Sequence, residues 1–362
     1  MGGFVHYIFC RIPKKMGGQE ARHAVLMGDP SFFSIKGGAN PHTRTFWGRR
    51  KRVSRKKAIT QWHQLARSLI GLGVEVFVLP PVKEQPGLVY PANAGFLTRI
   101  QEEIPIREKT FYLSNLISTR AGEKPYYKDF IKQLGFKTQE LSYRFEGEAD
   151  FFPVGDRYIF TYGVIEAQRF IFQWAIPPYR RVYGFRSDKE VLAELSLIAE
   201  RDKIIPLRLI NEAFYHGDTL LCSFGPNREL LLAYLPALEP NSQAILREIM
   251  GDKLVELEPE DAWLYAANSF QVAYGDQRYL IMPEGVSPGL LSRIKERGVI
   301  PVLVDVSEFW KKGGGSVKCM IGDLGYLVNG ENTMAEKFRY QRSYRNLFLL
   351  PTAIETHLPL LG

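Results

Sequence analysis

Hydrophobic residues recur along this chain at two spacings, and the switch between them marks out the elements. Ile59, Trp62, Leu65 and Leu69 lie three or four residues apart, which predicts a helix over 58–72 ending at Gly71-Leu72-Gly73. Val74-Glu75-Val76-Phe77-Val78-Leu79 follows as a strand, broken by Pro80-Pro81. The apolar stretch 88–97 comes next, with 109–113 as its hairpin partner and a helix over 125–134 that stops at Gly135.

A unit then repeats: strand, tight turn, strand, helix, strand. Phe151-Phe152-Pro153-Val154 turns at Gly155-Asp156-Arg157 into Tyr158-Ile159-Phe160. Residues 220–224 turn through Gly225-Pro226-Asn227 into 229–234, and 271–274 through Gly275-Asp276-Gln277-Arg278 into 279–282. Helices are predicted after each hairpin, over 188–201, 241–250 and 288–297. The last has Ser287 as N-cap, Pro288 in its first turn and Gly298 just past its end. A strand over 299–306 closes that unit. One such unit has no way to bury its own apolar face, so the repeat predicts a pseudo-symmetric α/β array of ββαβ modules sharing a core. We expect one domain over 23–326, an N-terminal extension over 1–22, and a less patterned C-terminal extension over 327–362 carrying Arg339, Arg342 and Arg345.

Composition narrows the class. With 362 residues, 45% hydrophobic and 24% charged, the chain reads as a folded globular protein. No apolar run reaches membrane-spanning length, and His6 stands where a myristoylation start would need Ser or Thr. Cys10, Cys222 and Cys319 are too few and too irregular for a disulfide framework or a zinc site. These features predict a cytoplasmic protein with no membrane partner and no metal. Neither nucleotide-loop sequence, GxGxxG or GxxxxGK[ST], is present, and no organic cofactor is expected. The net charge of +8 is concentrated in Arg49-Arg50-Lys51-Arg52-Val53-Ser54-Arg55-Lys56-Lys57. That run has no interleaved aromatics for base stacking, so it reads as a solvated loop feeding the next helix rather than a nucleic-acid site.

Candidate chemistry centres on Gly313-Gly314-Gly315-Ser316-Val317-Lys318-Cys319-Met320. Three glycines allow positive φ and close approach of a ligand, and they lead to a cysteine beside a cation. Phe145-Glu146-Gly147-Glu148-Ala149-Asp150 sets three carboxylates at the mouth of a strand. Tyr215-His216-Gly217-Asp218 sets a His and an Asp two apart, and Asn93 and Asn268 lie in apolar stretches where a buried amide needs partners. Singly, these read as an inert buried thiol, a structural histidine and a solvated acidic rim. Together they supply a nucleophile, a general acid/base and carboxylates for a cationic substrate. A Cys–His peptidase fits the spacing too, but clustered carboxylates favour a positively charged electrophile over a peptide carbonyl.

The four motifs resemble those of the guanidino-group-modifying enzymes, the pentein superfamily of arginine deiminase, dimethylarginine hydrolase, arginine dihydrolase and glycine amidinotransferase. They are Gly313–Cys319, Phe145–Asp150, His216-Gly217-Asp218-Thr219 and Val89-Tyr90-Pro91-Ala92-Asn93-Ala94-Gly95. Asn40-Pro41, Leu113-Ser114-Asn115 and Gly122-Glu123-Lys124-Pro125 support them, and the resemblance runs from about Val25 to Leu324. It implies a five-bladed β/α propeller, Cys319 as nucleophile, His216 as general acid/base and Asp218 as a guanidinium ligand. Glu146, with Glu148 as the alternative, matches the acid that binds guanidinium or orients the histidine. Asn93 points to the dihydrolase branch, while Asp150, Asn40, Asn268 and Gly315 fall in motifs expected to border a small guanidino substrate. The implied activity is hydrolysis through a covalent thiouronium. An amidinotransferase and a weakened guanidino-binding relative are the alternatives, and a homo-oligomer is compatible with any of the three. Gly87, Ile117 and Ile165 depart from the family at positions that hold the rest of an arginine-like substrate. Free arginine is therefore expected to be a poor substrate unless Arg169 or Arg120 supplies the missing cation.

Overall fold

In the computed structural model, which describes residues 21–171, 180–328 and 333–340, the predicted module occurs five times. Its strands are β1 (Ala21–Gly28), β2 (Glu75–Leu79), β3 (Gly95–Leu97), β4 (Thr110–Leu113), β5 (Lys137–Glu140), β6 (Phe151–Val154) and β7 (Arg157–Tyr162). A small ribbon of β8 (Arg169–Ile171) and β9 (Arg180–Val182) comes next. Then follow β10 (Ile204–Arg208), β11 (Leu221–Phe224), β12 (Leu230–Ala233), β13 (Leu254–Glu256), β14 (Phe270–Tyr274), β15 (Gln277–Pro283), β16 (Val299–Val304) and β17 (Gly322–Val328).

Four sheets are built alike: an antiparallel hairpin, then a parallel third strand delivered by a crossover. They are β3-β4-β5, β6-β7-β10, β11-β12-β13 and β14-β15-β16. The fifth draws on both ends of the described chain. There β17 pairs antiparallel with β1, and β1 pairs parallel with β2. The late strand thus stands in for the first strand of the first module, which ties the segment after Cys319 to the start of the fold.

The helix at Arg55–Gly71 turns Ala58, Ile59, Trp62, Leu65, Ala66 and Leu69 inward, each at most 1% exposed. Full burial of one large apolar side chain contributes roughly 1.5–3 kcal/mol, so this face holds the helix against its unfavourable cationic first turn. That turn lies in the basic run, where Lys51 and Lys57 donate to Lys311 O and Ser307 Oγ. Phe46 and Trp47, just ahead of the run, are exposed.

Several expectations need correction. The helix expected over 188–201 is reduced to a 3-10 turn, Lys189–Val191, and one α turn, Leu192–Leu195. The Ser196 hydroxyl donates back to Leu192 O at 2.6 Å, and Leu197 is 89% exposed, so further helix would bury nothing there. Only the last three residues of 88–97 pair as a strand, because Pro86 and Pro91 open 3-10 turns. Periodicity missed β1, β17 and the helix Ser307–Gly313. Cys10, Arg342, Arg345 and the Met1-Gly2-Gly3 start lie outside the described residues. Among the described residues no helix is long and apolar enough to cross a membrane.

Candidate active site

One regularity of the fold builds the site. The turn just ahead of each module's first strand carries a candidate residue. Asn93 precedes β3, Glu146 precedes β6, His216 and Asp218 precede β11, Asn268 precedes β14, and Cys319 precedes β17. Short 3-10 turns close four of these approaches, at Pro91–Asn93, Gly147–Ala149, Gly217–Thr219 and Lys318–Met320. His216 and Asp218, two apart in sequence, therefore sit on a tight turn and not along one face of a strand.

The three glycines serve different ends. Gly314 takes the left-handed conformation (φ +82°) that ends the helix Ser307–Gly313. Gly313 and Gly315 admit Tyr90: a Cβ would lie 2.0 Å from its hydroxyl at the first and 2.6 Å from its ring at the second. The chain then reaches Cys319, which is 2% exposed. Its Sγ lies 3.2 Å from Asn268 Nδ2 and 3.4 Å from Asp218 Oδ2. Burial, and after it the Asp218 charge, push the thiol well above its ordinary range.

His216 Nε2 lies 2.9 Å from Glu146 Oε2, 3.4 Å from Asn93 Nδ2 and 3.9 Å from Asp150 Oδ2. Burial opposes charge on Glu146, but the His216 hydrogen bond and charge outweigh it and hold the carboxyl at about 2. Burial raises Asp218 to about 6 against the opposing pull of His216. A guanidinium needs the ionised carboxylate. We therefore expect kcat/KM to rise with pH through a limb near 6 and to fall below it, as a pH profile of the free enzyme would record. A profile flat from 5 to 7 would contradict that role. Among the described residues His216 Nδ1 and Asp218 Oδ1 have no partner, leaving two buried polar atoms to meet a ligand.

Asn40, Asn93, Glu146, His216, Gly315 and Cys319 border one cavity. Asp218 meets the Cys319 thiol but does not itself line the cavity. Glu148, Asp150 and Asn268 do not line it. Glu148 is bound by Lys318 Nζ at 2.9 Å and by Asp323 N at 2.7 Å. Asp150 accepts from Thr161 Oγ1, Ser187 Oγ and Gly217 N, and so braces the His216 turn from behind. Cys222 lies elsewhere, its thiol pushed by burial up to about 12.

Two arginines also line the cavity. Arg120 is committed: it binds both Glu123 oxygens, at 2.9 and 2.6 Å, and donates to Asn93 Oδ1 at 2.6 Å. Glu123 fills the room left by Gly87, where an added Cβ would lie 2.1 Å from its carboxylate oxygen. Arg186 is 3% exposed. It donates to the carbonyls of Tyr183, Gly184 and Ala39 and stacks 5.1 Å from the Tyr215 ring. No described carboxylate lies within ion-pair distance of it. Sequence reasoning passed over it, although an arginine in Tyr183-Gly184-Phe185-Arg186-Ser187 is charged in an otherwise core-like segment. Arg169, named instead, is paired with Glu166 at 2.7 Å on the exposed ribbon and does not line the cavity.

No family model matches the chain. It is 27% identical over 293 residues to the N(G),N(G)-dimethylarginine dimethylaminohydrolase of Mycobacterium tuberculosis, covering 81% of this chain and 83% of that one. To the bifunctional arginine dihydrolase/ornithine cyclodeaminase ArgZ of Synechocystis it is 28% identical over 300 residues, 82% of this chain and 37% of that protein. The N-terminal domain of ArgZ, solved as an Asn-to-Ser variant covalently bound to a reaction intermediate, superposes with a TM-score of 0.68 at 26% identity. That match covers 84% of this chain and 99% of the domain. The homologues are guanidino-modifying hydrolases of the pentein fold. The mixed α/β architecture described above matches theirs.

Proposed function

We propose that the chain hydrolyses arginine or a closely related guanidino compound through a covalent intermediate on Cys319, in a single catalytic domain over 23–326. The reading is supported most by one observation: one cavity is lined by Cys319, His216 and Glu146 together with Arg186, a buried cation with no described carboxylate within ion-pair distance, and Asp218 meets the Cys319 thiol beside it. A substrate carboxylate would supply the direct ion pair that Arg186 does not make with any described carboxylate. The activities of these relatives, on dimethylarginine and on arginine, point the same way. We read the five sheets as blades of a β/α propeller, with the site turns gathered at one end.

In this mechanism Glu146 keeps His216 oriented, and Asp218 and Asn93 meet the guanidinium. The thiol proton passes to His216 as Sγ bonds to the central carbon. His216 returns it to the departing nitrogen, leaving an S-alkylthiouronium. Water then attacks, giving one proton to His216 while Sγ leaves and is reprotonated. An amidinotransferase would place an amine where this scheme has water. The hydrolytic relatives favour water.

The test is a panel of guanidino compounds assayed for ammonia, urea and amine release. With Arg186 in the cavity, isoleucine in place of a cationic handle at positions 117 and 165 no longer argues against arginine. We expect kcat/KM for arginine to exceed that for agmatine by about a hundredfold or more, the size of a buried charge-pair contact. Equal values, or release of nothing from any compound, would contradict the proposal.

A further inference from the structure

We propose that Asn268 is a positioning residue that fixes the Cys319 backbone and supports its thiolate during attack, a role that rests on Cys319 being the nucleophile. Asn268 is fully buried, and its side-chain amide spends its whole hydrogen-bonding capacity around this cysteine. Its Oδ1 accepts from Ser316 N at 3.0 Å and Cys319 N at 3.1 Å. Its Nδ2 donates to Asp218 O at 2.9 Å and to Cys319 Sγ at 3.2 Å. The Asn268 carbonyl accepts from Lys318 N at 3.1 Å as well.

The two backbone donors decide which way the amide faces. With the amide turned over, its NH2 would meet the N–H groups of Ser316 and Cys319, and its oxygen would meet Asp218 O. Both contacts are repulsive, so the oxygen is locked onto the backbone and the NH2 onto sulfur. An NH2 group only donates, and the acceptor it meets strengthens when sulfur is ionised. Asn268 and Asp218 therefore oppose each other across Sγ: the carboxylate disfavours thiolate and the amide favours it. Burial keeps the thiol protonated in the free enzyme. A bound guanidinium offsets the Asp218 charge and leaves the Asn268 donation unopposed. The thiol proton then passes to His216 as the Sγ–C bond forms, and it leaves on the departing nitrogen.

The substitution Asn268→Asp separates the two duties. It keeps an oxygen for the two backbone N–H groups and puts a carboxylate oxygen where the NH2 met sulfur, so the lost donor and the added charge act in the same direction on the thiol. Asn268→Ala removes both. The measurement is the pH profile of Cys319 alkylation by iodoacetamide on the full chain, followed by mass on the Cys319 peptide, together with kcat, KM and melting temperature. In Asn268→Asp the alkylation midpoint should rise by about one pH unit or more, a tenfold or greater loss of rate at fixed pH. The same variant should lose kcat by about tenfold or more with KM changed by less than about threefold. Asn268→Ala, which adds no charge, should also raise the midpoint and should lower the melting temperature. An unmoved midpoint in Asn268→Ala would overturn the proposal, even if that variant melts lower, because a purely structural amide affects the fold and not the thiolate. The readout is independent of substrate identity. A shifted midpoint alongside a fully active Cys319→Ser enzyme would overturn the catalytic reading and not the thiolate contact.

Discussion

Replacing Cys319 with serine should lower turnover of every guanidino substrate by about a thousandfold or more while leaving the fold intact. The scheme needs an ionised nucleophile, and a serine hydroxyl is far less acidic than a thiol, so the Asn268 donation that supports a thiolate is not enough to hold an alkoxide. Sγ already faces Asn268 Nδ2 and Asp218 Oδ2, so a hydroxyl in its place keeps both an acceptor and a donor. A satisfied buried hydroxyl costs little. The melting temperature should therefore move by no more than a few degrees, on the order of the change that a 1 kcal/mol perturbation gives in a chain of this size. Circular dichroism melting checks the fold, and the compound panel checks turnover. Full activity in the serine variant would remove the covalent scheme.

The second large effect is expected at Arg186. In the proposed scheme Asn93 and Asp218 meet the guanidinium and Glu146 orients His216, whereas Arg186 lines the cavity with backbone carbonyls as its hydrogen-bond partners. Arg186→Ala should lower kcat/KM for arginine by about a hundredfold or more and change that for agmatine by less than about threefold. Because Arg186 also donates to Ala39 O, a purely structural contribution must be separated. Arg186→Lys supplies that control. It keeps the charge but not the two-pronged fork, and should retain part of the preference for arginine. Arg169→Ala, on the exposed ribbon, should leave both substrates unaffected. Equal losses for arginine and agmatine in Arg186→Ala would show that the residue only holds the loop at Ala39.

What was legible in the sequence followed from how local each signal was. The repeating hairpins are written in alternation and glycine turns, and β6-β7, β11-β12 and β14-β15 form where those signals stand. The helix Pro288–Lys295 begins at its Ser287 cap, whose side chain accepts from Leu290 N. The β1–β17 pairing joins residues some 300 apart, and no local pattern encodes it. Within the site, Cys319, His216 and Glu146 converge on one cavity from motifs that sequence could name. Choosing Glu146 over Glu148 as the histidine's partner required the turn at Gly147, which has positive φ and sends the two side chains apart. Asn268 was legible as a buried amide needing partners, but its partners come from two other modules. Arg186 escaped because the departures at Ile117 and Ile165 drew attention to where a cation was missing. The chain supplies one from a segment between β9 and β10.

The most direct test of the central claim is the mass of the enzyme during turnover. Wild-type protein mixed with arginine, quenched in acid within the first turnovers and digested, should yield the peptide containing Cys319 heavier by arginine less one ammonia. The adduct should decay as product accumulates, and it should be absent from Cys319→Ser. An unmodified Cys319 peptide throughout productive turnover, or an adduct on the peptide of Cys222 instead, would contradict the account.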